Sequence, residues 1–200
     1  EIAGVALAHI QRVQNAVVSF GQGCEGDPLM AADTIRAAIR MIRAQTDQGT
    51  INMNTNGSLP QKIAELLEAG LDSVRISMNS VRRPCYEAYF RPRGYAFKDV
   101  LETIDVAMAR GAHVAINYLN CPGFTDTPQE RDHLLTFLGD HPIQMIQWRN
   151  LNFDPLRYLA IMGQADRQGR PVGVPSLLEQ VQRAFPRLCH GYFNPPREKF

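Results

Sequence analysis

Five short β-type segments alternate with longer helical patterns along this chain, and that alternation restricts the fold more than any other feature. The segments are Val17–Phe20, Thr50–Asn54, Ser73–Met78, His113–Leu119 and Ile143–Trp148. Apolar residues at helical spacing follow four of them. Ile35, Ile39 and Ile42 mark a helix over about 28–45, and Ile63, Leu66 and Leu67 mark one that Gly70 closes. Phe97, Val100, Leu101, Ile104 and Met108 mark a helix over 96–110, and Leu134, Leu135 and Leu138 mark the next. Strands separated by helices predict a parallel α/β sheet, because parallel neighbours need a crossover long enough to hold a helix. With 200 residues, 44% hydrophobic and 20% charged, such a sheet can bury a core without disulfides or metals.

Punctuation residues locate the helix starts. Asp27-Pro28 reads as cap and first helical residue, and Ser58 with Gln61 as a capping box. Thr127-Pro128-Gln129-Glu130 combines cap, proline and capping-box acid, Asp154-Pro155 opens a short helix, and Ser176 to Glu179 caps one more. Val5, Ile10 and Val13 belong to a helix that precedes the first strand. A helix with no strand before it, in an otherwise alternating chain, predicts a piece cut from something longer. The stretch from about 81 to 95 reads as a long loop, and Gly191 to Phe200 as a loosely held tail.

The first strand runs into Gly21-Gln22-Gly23-Cys24-Glu25-Gly26-Asp27-Pro28. Gly21-x-Gly23-x-x-Gly26 matches the glycine spacing of a dinucleotide-binding turn. Such a turn needs its helix to begin within the glycines, so that free N–H groups face a diphosphate. Here the helix begins after them, and Glu25 and Asp27 would repel a diphosphate. A nicotinamide-binding reading would also need an acidic residue at the end of the next strand, where the chain has Asn54-Thr55-Asn56. The glycines suit either a tight turn alone or a pocket for an ammonium, a ribose and an amino-acid carboxylate.

Ligands of parallel sheets bind at the carboxyl ends of the strands. The residues there are Gly21 to Asp27, Thr55-Asn56-Gly57, Ser77 and Asn79, Asn117 to Cys121 and Arg149 to Asn152. They are small, polar and rich in amides, and they contain no Ser-His-Asp or Cys-His constellation. Cys24, Cys85, Cys121 and Cys189 are scattered without metal-ligand spacing, and Cys24 has the best position for a site. Cys121 reads as a buried free thiol, and His113 and His133 as structural. His190 lies beside Cys189, and adjacent residues chelate poorly. The segment from Arg82 to Arg93 mixes four arginines with Tyr86, Tyr89 and Phe90, which suits a phosphate-bearing or peptide substrate or a solvated face. A net charge of +1 gives no case for nucleic acid, and no apolar run approaches a membrane span, so the cytoplasm is the expected location.

Taken in order, the edge residues resemble the radical S-adenosylmethionine (SAM) superfamily, over about Val17 to Asn152. Gly26-Asp27-Pro28-Leu29 is similar to the family's Gly-Gly-Glu-Pro segment. The run from Gly70 to Asn79 resembles a Gly-Leu-x-x-Val/Ile-x-x-Ser-Leu-Asp strand of the branch near the molybdenum-cofactor enzyme. Gly111 to Asn117 resembles the Gly-x-x-Val-x-Ile-Asn strand that follows, and Thr55-Asn56-Gly57 matches the Thr-Asn-Gly that ends the strand between. Two features depart from the pattern. Glu25 stands at the first glycine and Asp27 at the glutamate, and the cluster motif Cys-x-x-x-Cys-x-x-Cys is absent from this chain.

The resemblance implies a partial (βα)6 TIM-like barrel of parallel strands, with about five strands present and the first βα unit missing. Residues 1–152 would form this core and 153–200 a helical extension and tail. It implies SAM binding by Gly23, Cys24, Glu25, Gly26, Asp27, Thr55, Asn56, Ser77, Asn79 and Asn117, and a [4Fe–4S] cluster whose ligands lie outside this chain. One electron from the cluster would cleave SAM to a 5′-deoxyadenosyl radical that abstracts hydrogen from a small-molecule or peptide substrate, with an electron donor as partner. The fragment alone would be inactive for lack of the cluster cysteines. A nicotinamide-dependent oxidoreductase and a catalytically silent binding domain are the alternatives.

Overall fold

The computed structural model describes residues 1–21, 26–163, 169–191 and 193–200. Among these, six strands form one open parallel sheet: β1 (Val17–Phe20), β2 (Thr50–Thr55), β3 (Ser73–Met78), β4 (His113–Asn120), β5 (Met145–Asn150) and β6 (Cys189–Gly191). Their order in the sheet is their order in the chain. The register runs Val17↔Thr50 to Phe20↔Met53, Asn52↔Ser73 to Thr55↔Ile76, and Met145↔Cys189 to Gln147↔Gly191.

The helices are α1 (Ile2–Arg12), α2 (Ala32–Arg43), α3 (Pro60–Glu68), α4 (Arg83–Phe90), α5 (Phe97–Ala109), α6 (Pro128–Asp140), α7 (Pro155–Gly163) and α8 (Val174–Ala184). Among the described residues no helix is long and apolar enough to cross a membrane. The chain divides into two compact units: Glu1–Ile76 with Lys98–Ala115 and Phe193–Phe200, and Ser77–Phe97 with Ile116–Tyr192.

In the first unit, period-2 alternation sorts the side chains of β2 and β3. Ile51 and Met53 of β2, and Val74 and Ile76 of β3, are fully buried with Ile39, Ile42, Ile63 and Leu66 from the helices. The opposite face of β2 carries Thr50, Asn52 and Asn54. Gly70 ends α3 at φ +113°, where the Leu71 N–H reaches the Leu66 carbonyl at 3.0 Å. The second unit has its own core of Cys85, Cys121, Phe124, Tyr158 and Met162. Tyr86 is fully buried and stacks on Phe90, with ring centroids 4.6 Å apart.

Several expectations are corrected. The sheet has a sixth strand, because Cys189-His190-Gly191 takes its extended form from β5. Its sequence shows no alternation, and a Cβ on Gly191 would lie 2.3 Å from the Met145 sulfur. The stretch over 81–95 contains α4, whose first turn holds Pro84 and which packs on α7. The tail is tied down: the Arg197 N–H donates to Thr50 Oγ1 at 2.7 Å, and Phe200 stacks on His113 at 4.4 Å.

Helix starts also differ in detail. Asp27 caps a 3₁₀ turn over Pro28–Ala31, and the α-helix begins only at Ala32. Ser58 and Gln61 make no capping box, since Pro60 opens α3 while the Ser58 N–H donates to Asn56 Oδ1 at 2.9 Å. Thr127 caps α6, but the Glu130 carboxylate turns away to Ser80 and Arg82. Gly173, not Ser176, precedes α8, and Ser176 Oγ accepts from Gln180 within that helix. The fifth strand starts at Met145, two residues later than the hydrophobic run indicates.

Candidate functional site

Gly21 and Asp27, on either side of residues 22–25, are both held by the end of β2. On the entry side, Gly21 adopts φ +87°, and a Cβ there would lie 2.2 Å from the Asn54 carbonyl oxygen. Only glycine permits that approach. Asn54 Nδ2 donates to the Gly21 carbonyl at 2.9 Å. On the exit side, Asp27 Oδ1 accepts from the Leu29 N–H at 3.0 Å, as a helix cap does. The same carboxylate accepts from Thr55 Oγ1 at 2.8 Å and from the Asn56 N–H at 2.6 Å.

Asp27, Thr55 and Asn56, all predicted to bind cofactor, are therefore brought together, joined through the Asp27 carboxylate. Thr55 Oγ1 also accepts from the Gly57 N–H at 3.1 Å. Asn56 Oδ1 is engaged with Ser58, which is turn chemistry. Gly26 adopts φ +83° with open space where a Cβ would stand. Gly23, Cys24 and Glu25 lie outside the described residues.

Ser77, Asn79 and Asn117 belong to the second unit. Ser77 is half-buried on β3. Asn79 is 1% exposed, and its Nδ2 donates to the Cys85 carbonyl at 3.1 Å and to the Tyr158 hydroxyl at 3.3 Å. Its Oδ1 meets no donor, and neither does the buried Oδ1 of Asn117 or of Asn120 on β4. Buried acceptors are nearly always paired, so three amide oxygens without donors, two of them on one strand end, is an unusual concentration.

Beside Asn79 the sequence reading missed a buried ion pair. Arg82 Nη1 lies 3.0 Å from Glu130 Oε1, with Ser80 Oγ 2.7 Å from Oε2. Burial raises the Glu130 pKa despite these partners. The pairing joins residues far apart in sequence, so no local pattern announces it. Burial, then the Glu130 charge, pushes the Cys85 thiol up to about 11, so it is protonated at neutral pH and poorly suited to ligate iron. Cys121 is buried in the same core and Cys189 is exposed. Among the described residues no three His, Cys, Asp or Glu side chains are grouped to hold a metal ion.

Comparison with known proteins places this geometry in a family. The family model described as the radical SAM superfamily matches residues 1–138. A GTP 3′,8-cyclase of Corynebacterium glutamicum is 35% identical over 126 residues, covering 58% of this chain and 33% of that protein. A probable GTP 3′,8-cyclase of Aeropyrum pernix is 31% identical over 102 residues, covering 50% of this chain and 27% of that protein. The match thus spans between a quarter and a third of the length of these curated relatives. A crystal structure of methylornithine synthase superposes with a TM-score of 0.64 at 12% identity, covering 95% of this chain and 53% of that one. That likeness supports the α/β, TIM-barrel-like fold. Enzymes of the matched family use SAM and a [4Fe–4S] cluster. The strand order and the matched family model agree: the chain belongs to the radical SAM superfamily.

Proposed function

We propose that this chain is the SAM-binding core of a radical SAM enzyme and that Asn117 contacts the cofactor directly. The observation that carries this reading is the buried Asn117 Oδ1, which has no donor. A ribose hydroxyl or the ammonium of an amino acid would satisfy it, and SAM offers both. Around it the strand ends present neutral groups, Ser77, Asn79 and Asn120, which neither repel a sulfonium nor compete for a proton. The described cysteines do not suit a cluster, so its ligands would come from elsewhere in the whole protein. When bound together, SAM and the cluster supply a 5′-deoxyadenosyl radical for hydrogen abstraction. The role left to this chain is to bind, orient and exclude water. The substrate, a small molecule or a peptide, and the electron donor belong to the whole protein.

The test is calorimetric titration of the full-length protein, reconstituted without oxygen, with SAM and separately with NAD. We expect SAM to bind and NAD not to bind. Asn117→Ala should raise the SAM Kd about 5- to 30-fold, the worth of one or two hydrogen bonds, without lowering the thermal midpoint of the ligand-free protein. An unchanged Kd in Asn117→Ala, or preferential binding of NAD, refutes the reading.

A further inference from the structure

Residues Phe193–Phe200 belong to the first unit, the one that contains the turn after β1. Along its length this segment meets Ser19 and Asn54 through Asn194, Thr50 through Arg197, and His113 through Phe200. It lies against the polar face of β2, which Thr50, Asn52 and Asn54 share by alternation.

The contacts of Asn194 differ from the rest. Its Nδ2 donates to Ser19 Oγ and to Asn54 Oδ1, each at 3.3 Å. Asn54 Oδ1 also accepts from Asn52 Nδ2 at 3.0 Å. An amide whose oxygen is held by two donors cannot flip without setting donor against donor. Its Nδ2 must then point the other way, to the Gly21 carbonyl 2.9 Å distant. Gly21 is where the chain turns out of β1 with no room to spare. Two hydrogen bonds in series thus link the tail to the Gly21 carbonyl, and a third, from Asn52, braces the amide between them.

We infer that Asn194 is a positioning residue for Gly21, the start of the turn after β1: it fixes the Asn54 amide, and the amide fixes the Gly21 carbonyl. The inference deepens the proposed function, and rests on it in so far as that turn serves SAM. Phe200 supplies the contrast, because its side chain anchors the same tail elsewhere in this unit, its ring stacked on His113 with centroids 4.4 Å apart. If the tail only adds stability, loss of either anchor should act alike. If Asn194 positions the turn, only its loss should reach the turn.

The experiment compares Asn194→Ala, Asn194→Asp and Phe200→Ala in the full-length protein. Asn194→Asp keeps the shape of the side chain and removes its donor. Three quantities are read: the thermal midpoint, amide exchange of the peptide spanning Val17–Leu29 without ligand, and the SAM Kd. Both Asn194 variants should speed exchange in that peptide about fivefold and raise the SAM Kd by a similar factor. Phe200→Ala should lower the midpoint and leave both other readings within about twofold of wild type. Adding Asn54→Ala to Asn194→Ala should speed exchange no further than Asn54→Ala alone, since the two act in series. Equal effects of the Asn194 and Phe200 variants on the peptide, or no effect of either Asn194 variant, overturn the inference. If the wild-type protein takes up no SAM, the functional reading fails, while the ligand-free exchange comparison still decides the positioning.

Discussion

The carboxylate of Asp27 sits on the hydroxyl of Thr55, with Thr55 Oγ1 2.8 Å from one oxygen and 3.1 Å from the other. Through this contact the end of β2 holds the start of the next helix, since the same carboxylate caps Leu29 and accepts from the Asn56 N–H. Asp27→Ala removes a helix cap, worth about 1 kcal/mol. It also strands the Asn56 N–H and the Thr55 hydroxyl, for a further ~1–3 kcal/mol. Asp27→Asn keeps one acceptor and should lose about half as much. Urea denaturation midpoints of the two variants check the order. Equal midpoints for Asp27→Ala and wild type would refute the bracket.

The two glycines that flank the turn should respond differently to a methyl group. Gly21 and Gly26 share a positive φ, +87° and +83°, so alanine is strained at both. At Gly26 nothing lies within 4 Å of the new Cβ, and the cost should be that of the backbone alone, about 1 kcal/mol. At Gly21 the methyl would meet the Asn54 carbonyl at 2.2 Å, so β1 and β2 must part and the Asn54–Gly21 hydrogen bond goes with them. Gly21→Ala should cost ~3 kcal/mol or more. Thermal melts of the two variants, side by side, test the comparison.

How far the sequence speaks depends on whether a residue acts on near neighbours. The first strand, the third strand and the glycine that closes α3 are written in local pattern, and the structure places them as read. Asp27 announces itself as a cap because Pro28 follows it. What the sequence hides is set at long range. Thr55 and Asn56 stand out by their place at a strand end, but only the structure shows Thr55 Oγ1 and the Asn56 N–H on Asp27 and Asn56 Oδ1 on Ser58. Glu130 reads as the return half of a capping box, yet its carboxylate is taken by Ser80 and Arg82, about fifty residues away. β6 is a strand only because β5 offers an edge, and the tail is ordered by partners more than a hundred residues distant. Asn117 stood out by its place at a strand end, but only the structure shows its oxygen buried without a donor.

The Arg82–Glu130 pair gives the second unit a strong but one-sided dependence. Arg82 is 9% and Glu130 1% exposed, so removal of either charge leaves the other without water. Glu130→Leu should cost about 3–5 kcal/mol, by abandoning the guanidinium and the Ser80 hydroxyl. Arg82→Met combined with Glu130→Leu should recover at least half of that loss, because two apolar side chains of similar size need no partners. Chemical denaturation of both single variants and the double variant completes the cycle. An additive double variant would show that the pair does not act as a unit.

His113 gives the first unit a dependence on acid. It is 6% exposed beneath the Phe200 ring, and burial lowers its pKa below the ordinary 6.5. The unfolded chain therefore takes up a proton near pH 6.5 while the folded chain still refuses it. The stability that neutral His113 contributes is complete above that pH, and it declines as pH falls through 6.5 toward the lowered value, with a limiting slope of about 1.4 kcal/mol per pH unit. Glu130 and Asp72 act in the opposite sense, since burial raises both pKa values and favours the folded state as pH falls. The raw pH profile mixes these contributions, and the comparison with a variant isolates one of them. His113→Phe keeps a ring for Phe200 to stack on and carries no proton. Urea midpoints at pH 7.5 and 5.5 should fall less in His113→Phe than in wild type, with a difference up to ~1 kcal/mol. Parallel profiles would place the acid sensitivity on another group.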